Sequence, residues 1–104
     1  MDEAFLRKLP KTDLHCHLDG SIRTETVLEL AKMQEYPLPA DNVEDLRKYV
    51  RVPYDCNCLS DFLKRFEVFY PLLTNKYAME RIAYELCRDC STENVKYIEM
   101  RFAP

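Results

Sequence analysis

The chain has 104 residues, 47% of them hydrophobic, 32% charged and 12% aromatic, with a formal net charge of −3. That is the size and balance of one small globular domain. The acidic balance argues against a general nucleic-acid or anionic-membrane binder, which relies on basic patches, and no apolar run reaches the roughly 18 residues needed to cross a bilayer.

Residues 1–8, Met-Asp-Glu-Ala-Phe-Leu-Arg-Lys, form a charged leader without the apolar stretch of a signal peptide. The expected compartment is therefore cytoplasmic. The five cysteines, Cys16, Cys56, Cys58, Cys87 and Cys90, are expected as reduced thiols there. Residues 11–18 read as a short strand, and Gly20 should release the backbone into a loop. Helical periodicity begins at Thr24, a candidate N-cap, with Val27, Leu28, Leu30 and Ala31 as an apolar stripe. Pro37 and Pro39 end that helix.

Asp41 and Glu44 have capping-box spacing and start a second helix, expected to run to about Tyr49. Residues 51–59 read as a loop, with Pro53, Asp55 and Asn57 as turn formers. Ser60 is the expected cap of a third helix, in which Phe62, Leu63, Phe66, Phe69 and Tyr70 recur at spacings of three and four before Pro71. A fourth helix spans residues 76–90, with Met79, Ile82, Ala83, Leu86 and Cys87 on its apolar face. Residues 95–102 alternate like a strand, and Pro104 should stop it. Cys87-Arg-Asp-Cys90 is a C-x-x-C, but its place on an amphipathic helix favours packing over a redox or zinc role.

Strand, several helices and strand imply a parallel βαβ crossover. Two strands cannot form a stable sheet core alone, and a parallel sheet needs both faces covered. The expected fold class is therefore α/β: the first two strands and intervening helices of an incomplete (β/α)8 barrel. Its functional end is the C-terminal end of the strands. His15, His17 and Asp19 lie at that end of the first strand, and Glu99 and Arg101 at that end of the second.

His15 and His17 are the chain's only histidines. Residues i and i+2 of a strand share a face, so both imidazoles aim at one point and Cys16 points away. Asp19 continues that face if the strand persists. Imidazole suits zinc, copper, iron or nickel, and zinc is the usual hydrolytic choice. Taken alone, the pair reads more readily as two strand histidines satisfied by backbone or solvent.

The flanking residues carry more. Thr12-Asp13-Leu14-His15-Cys16-His17-Leu18-Asp19-Gly20-Ser21-Ile22 resembles the first metal-binding motif of the adenosine deaminase family, within the metal-dependent amidohydrolases. The likeness continues through Leu59-Ser60-Asp61-Phe62-Leu63-Lys64-Arg65-Phe66 and Arg81-Ile82-Ala83-Tyr84-Glu85. It ends in Tyr97-Ile98-Glu99-Met100-Arg101-Phe102-Ala103-Pro104, which is similar to the family's second barrel strand. It implies a zinc hydrolase that deaminates adenosine, and 2′-deoxyadenosine, to the inosine product and ammonia. By that resemblance His15 and His17 are zinc ligands, His17 and Asp19 bind the nucleoside, and Phe62, Leu63 and Phe66 cover the pocket. The partner is a small-molecule purine nucleoside, with no nucleic acid and no membrane.

The family's other ligands, a further His and an Asp, and its catalytic Glu match nothing in this sequence; the Glu is expected beyond Pro104. The chain is thus read as the N-terminal part of a single barrel domain, residues 1–104, inactive by itself. Related deaminases of adenine, AMP or N6-modified AMP are the near alternatives. A non-catalytic zinc or purine binder, with His15 and His17 joining Cys87 and Cys90 in a Cys2His2 site, is the distant one. Glu99 with Arg101 is expected as a structural pair, and Asp13 as a strand-end hydrogen-bond acceptor.

Overall fold

Lys11–His17 forms strand β1 and Val95–Arg101 forms strand β2, paired in parallel in a two-stranded sheet. The computed structural model describes residues 1–103. Helix α1 (Glu3–Lys8) precedes β1. Between the strands come α2 (Thr24–Met33), α3 (Val43–Val50), α4 (Leu59–Glu67), a 3₁₀ turn (Tyr70–Leu72) and α5 (Lys76–Thr92). This is the crossover expected of an opening (β/α)8 barrel. Among the described residues, no helix is long and apolar enough to cross a membrane.

The core lies under the crossover helices. Val27, Leu30 and Ala31 of α2, Leu46 of α3, Leu72 of the turn and Ala78, Ile82 and Leu86 of α5 are buried together. Each large side chain removed from water contributes roughly 1.5–3 kcal/mol. A polar seam latches α2 to α5. Arg23 donates twice to Asp89, at 2.6 and 3.0 Å. Arg81 bridges Glu85 at 3.0 Å and Glu29 at 2.6 Å, and Thr26 donates to Glu85 at 2.5 Å.

Several boundaries differ from the sequence expectation. Helix α1 replaces the expected leader; Asp2 caps it, accepting from the Phe5 N–H at 2.7 Å. Strand β1 ends at His17, so Asp19 lies in the following turn. Gly20 has no left-handed φ, so the turn does not use its conformational freedom. Arg23 occupies the cap position of α2 without a side-chain capping bond, leaving Thr24 as the first helical residue with a buried, unpartnered hydroxyl.

Asn42, not Asp41, caps α3 by accepting from the Asp45 N–H at 2.9 Å. Cys58 precedes α4 with no side-chain cap, so Ser60 is inside the helix. That helix stops at Glu67, before Pro71, which sits within the 3₁₀ turn. Cys87 is exposed rather than on the packed face, and Cys90 packs against the core in its place. The expected stop at Pro104 lies outside the described residues.

Two residues hold left-handed backbone at helix ends, Glu35 (φ 52°) after α2 and Asn94 (φ 61°) after α5. Around Glu35, the Tyr36 N–H donates to the Ala31 carbonyl at 2.8 Å and the Glu35 N–H to the Lys32 carbonyl at 3.3 Å. This paired closure is a Schellman motif, in which glycine usually takes the left-handed position. Below the sheet, the Lys11 ammonium donates to the carbonyls of Arg7, Leu9 and Glu93 at 3.3, 2.8 and 2.8 Å, tying the ends of α1 and α5 to the start of β1.

Candidate metal and nucleoside site

The register of β1 against β2 slips between Asp13 and Cys16: Asp13 pairs with Ile98, and Cys16 with Met100. Three steps on β1 thus face two on β2, a bulge that re-aims side chains. Within it the Asp13 carboxylate accepts the His15 backbone N–H at 3.0 Å. The Nε2 atoms of His15, inside the bulge, and His17, just past it, lie 3.1 Å apart, with ring centroids at 5.0 Å. Cys16 packs against the core with its Sγ 3.5 Å from the Ser21 hydroxyl, and it borders the same cleft as the two histidines.

The nitrogen pair has two chemical uses. With one ring protonated at Nε2 it makes an N–H···N bond. With both Nε2 atoms unprotonated it offers two lone pairs to one ion. Two nitrogens bound at 2.0–2.1 Å to a tetrahedral zinc stand about 3.3 Å apart, so the observed separation fits half of a zinc shell. Among the described residues no third His, Cys, Asp or Glu joins them into a metal-holding group. The Cys2His2 alternative with Cys87 and Cys90 therefore does not form.

Asp19 sits in the turn after β1, only 6% exposed. Its Oδ2 accepts the Tyr70 hydroxyl at 3.0 Å, and its Oδ1, 3.7 Å from His17 Nδ1, is buried without a hydrogen-bond partner. Burial, and then the bond to Asp19, push the Tyr70 phenol above its ordinary value, so it remains a neutral donor. His15, His17, Asp19, Phe62, Leu63 and Phe66 all line one open cleft of about 470 Å³. Phe62 and Leu63 remain largely exposed on α4, whereas Phe66 is partly buried against the core and stacks edge-on to Phe62 at 5.4 Å. Phe69, further along the same apolar run, is core.

Glu99 and Arg101 form the expected structural contact at 3.6 Å, outside this cleft. The Arg101 guanidinium also donates to the Leu14 carbonyl at 3.1 Å, joining the two strand ends. Sequence reasoning missed Tyr70 and Arg65, both on the cleft wall. Tyr70 follows Phe66 by four residues and therefore reads as one more member of an apolar stripe. Arg65 reads as a solvated helix charge, yet it donates to the Lys48 carbonyl at 2.6 Å.

Comparison with known proteins identifies the family. The family model described as adenosine deaminase matches residues 10–104. An adenosine deaminase of Clostridium botulinum (strain 657 / Type Ba4) is 48% identical over 98 residues, covering 94% of this chain and 30% of that protein. The solved Arabidopsis N6-mAMP deaminase MAPDA superposes with a TM-score of 0.75 at 32% identity, over 97% of this chain and 29% of that one. A Burkholderia ambifaria amidohydrolase solved with bound Zn gives 0.69 at 33% identity, over 93% and 25%. The chain thus spans about 30% of the length of the curated relatives it matches. Its two parallel strands and intervening helices are the opening part of a (β/α)8 barrel. The family match runs from just before β1 through β2, and the chain belongs to the adenosine deaminase family.

Proposed function

We propose that this chain is the N-terminal part of a single barrel domain of a zinc-dependent hydrolytic deaminase that converts adenosine, and 2′-deoxyadenosine, to the inosine product and ammonia. The observation that carries the reading is the Nε2 pair at 3.1 Å beside a buried carboxylate with one unused oxygen. When bound, zinc supplies a water acidified enough to attack a purine carbon near neutral pH. His15 and His17 hold the metal through Nε2. Asp19 accepts a sugar hydroxyl at Oδ1, while the His17 ring borders the nucleoside. Phe62, Leu63 and Phe66 close over the base and exclude water, which strengthens every polar contact beneath them.

Asp19 is the one carboxylate on the cleft wall among the described residues, and it is committed to Tyr70. The proton shuttle to the ring nitrogen and leaving amine therefore belongs to a carboxylate elsewhere in the protein. Two imidazoles also fall short of the three protein ligands a catalytic zinc requires. The 104 residues alone are expected to be inactive.

A deaminase of N6-modified AMP is the second reading, favoured by the 32% identity to the Arabidopsis enzyme. The test is release of the 6-amine by the full-length zinc-loaded protein, as ammonia from adenosine, adenine and AMP and as methylamine from N6-methyl-AMP. Preference for adenosine supports the first reading, and preference for the methylated nucleotide the second. Zinc and purine binding without turnover of any of the four would leave a non-catalytic binder.

A further inference from the structure

Asp19 is engaged on one side only. Its Oδ2 takes the Tyr70 hydroxyl at 3.0 Å, and its Oδ1 is buried and unpartnered. Both residues stand on a partition. On one side is the histidine cleft, and on the other a second cleft of about 410 Å³ bordered by Leu73, Met79 and Ile82. A carboxylate without a fixed donor could turn toward either space.

Tyr70 is well held. Its ring packs on Phe66 at 5.5 Å and on Phe69 at 5.9 Å, and the 3₁₀ turn that carries it is anchored by fully buried Leu72. A phenol has few rotatable bonds, so its hydroxyl is placed at little entropic cost. Phe66 in turn belongs to the apolar cover over the histidines.

We infer that Tyr70 is a positioning residue: its hydroxyl fixes the Asp19 carboxylate so that Oδ1 faces the nucleoside hydroxyl, and its ring ties that carboxylate to the seating of the Phe66 cover. The inference rests on the reading of Asp19 as the carboxylate that binds the nucleoside. Substrate affinity, more than the chemical step, then depends on Tyr70. Without the hydroxyl, Asp19 loses its only fixed donor and rotates toward the second cleft. A substrate with no sugar is indifferent to that rotation.

The experiment compares full-length wild type with Tyr70→Phe, using adenosine and the sugarless analogue 9-methyladenine. Adenosine affinity is measured by calorimetry beside the kinetics. Loss of a bond to a charged acceptor should raise KM and Kd for adenosine about tenfold, with kcat within about threefold. For 9-methyladenine, kcat/KM should stay within about twofold of wild type. In an Asp19→Ala background, which leaves the Tyr70 hydroxyl no acceptor, adding Tyr70→Phe should change Kd by less than about twofold, because the pair acts as a unit.

An unchanged adenosine KM, an equal loss on both substrates, or additivity in the double variant would overturn the role of Tyr70. A purely structural role would give the equal loss. Wild type that binds adenosine without deaminating it would sink the proposed activity and leave the Kd ratio to judge Tyr70. Wild type that neither binds nor deaminates adenosine would sink both.

Discussion

The Asp13 carboxylate accepts the backbone N–H of His15 at 3.0 Å, within the segment where β1 slips one step against β2. A side chain thus satisfies an amide at the irregular step of the ladder, where His15 itself sits. Asp13→Ala should cost about 1 kcal/mol of stability, and weaken zinc binding by the full-length protein by about tenfold. Asp13→Asn keeps an acceptor and should retain most of both. Denaturant melts and a zinc titration measure the two effects. Wild-type zinc affinity in Asp13→Ala would mean that the bulge does not aim His15.

His15 and His17 should act as a unit. In the full-length protein, replacing either by Ala is expected to lower bound zinc well below one per chain and to abolish deamination, and the double substitution should do little more. Metal analysis of the purified variants checks this. Stripping zinc with a chelator should abolish activity, and adding it back should restore the wild type but neither variant.

The two left-handed helix ends should respond to glycine with opposite signs. Glu35 holds left-handed backbone, where a non-glycine residue carries a strain of roughly 1–2 kcal/mol. Glu35→Gly should therefore raise stability by up to about 1 kcal/mol once glycine's greater unfolded freedom is subtracted. Asn94 tolerates this backbone better, and its Nδ2 donates to the Lys8 carbonyl at 2.6 Å. Asn94→Gly removes that tie to α1 and should destabilise. Paired thermal melts of the two variants test the contrast.

The Arg23–Asp89 pair makes a prediction about acid. The Arg23 guanidinium, chiefly by its hydrogen bonds, holds the Asp89 carboxyl below its ordinary value. A depressed carboxylate contributes stability above its unfolded value of about 3.9, and the contribution is lost as pH falls through the lower folded value. The advantage of wild type over Arg23→Met should be full at neutral pH and shrink below about pH 4. Urea melts at several pH values measure it. An advantage that stays constant down to about pH 3 would assign the effect to packing of the Arg23 stem instead.

Much of this was readable because the periods are strong. Val27, Leu30 and Ala31, then Ala78, Ile82 and Leu86, lie at helical spacings, and the only two histidines lie at strand spacing. Local competitions were harder to read. Asp41 and Asn42 both suit a cap, and it is the Asn42 side chain that reaches the Asp45 N–H. The run from Phe62 to Tyr70 has one continuous apolar period, yet the chain breaks it at Glu67, sending Phe69 to the core and Tyr70 to Asp19. Periodicity marks a face as apolar; it does not say which neighbour will cover it. The slip between Asp13 and Cys16 left no composition signal at all, since it depends on β2 lying alongside.

Helix α4 has no buried residue. Its fixed points are few: the partly buried Phe66 ring and the Arg65 bond to the Lys48 carbonyl. A segment with so little apolar anchorage opens at a small fraction of the free energy that unfolds the core. Backbone amides of Leu59–Glu67 should exchange with deuterium well before those of Lys76–Thr92 in the same molecule. Occupancy of the cleft beneath should slow them selectively. That protection would make α4 a label-free reporter of ligand binding, readable in any variant too crippled to turn substrate over.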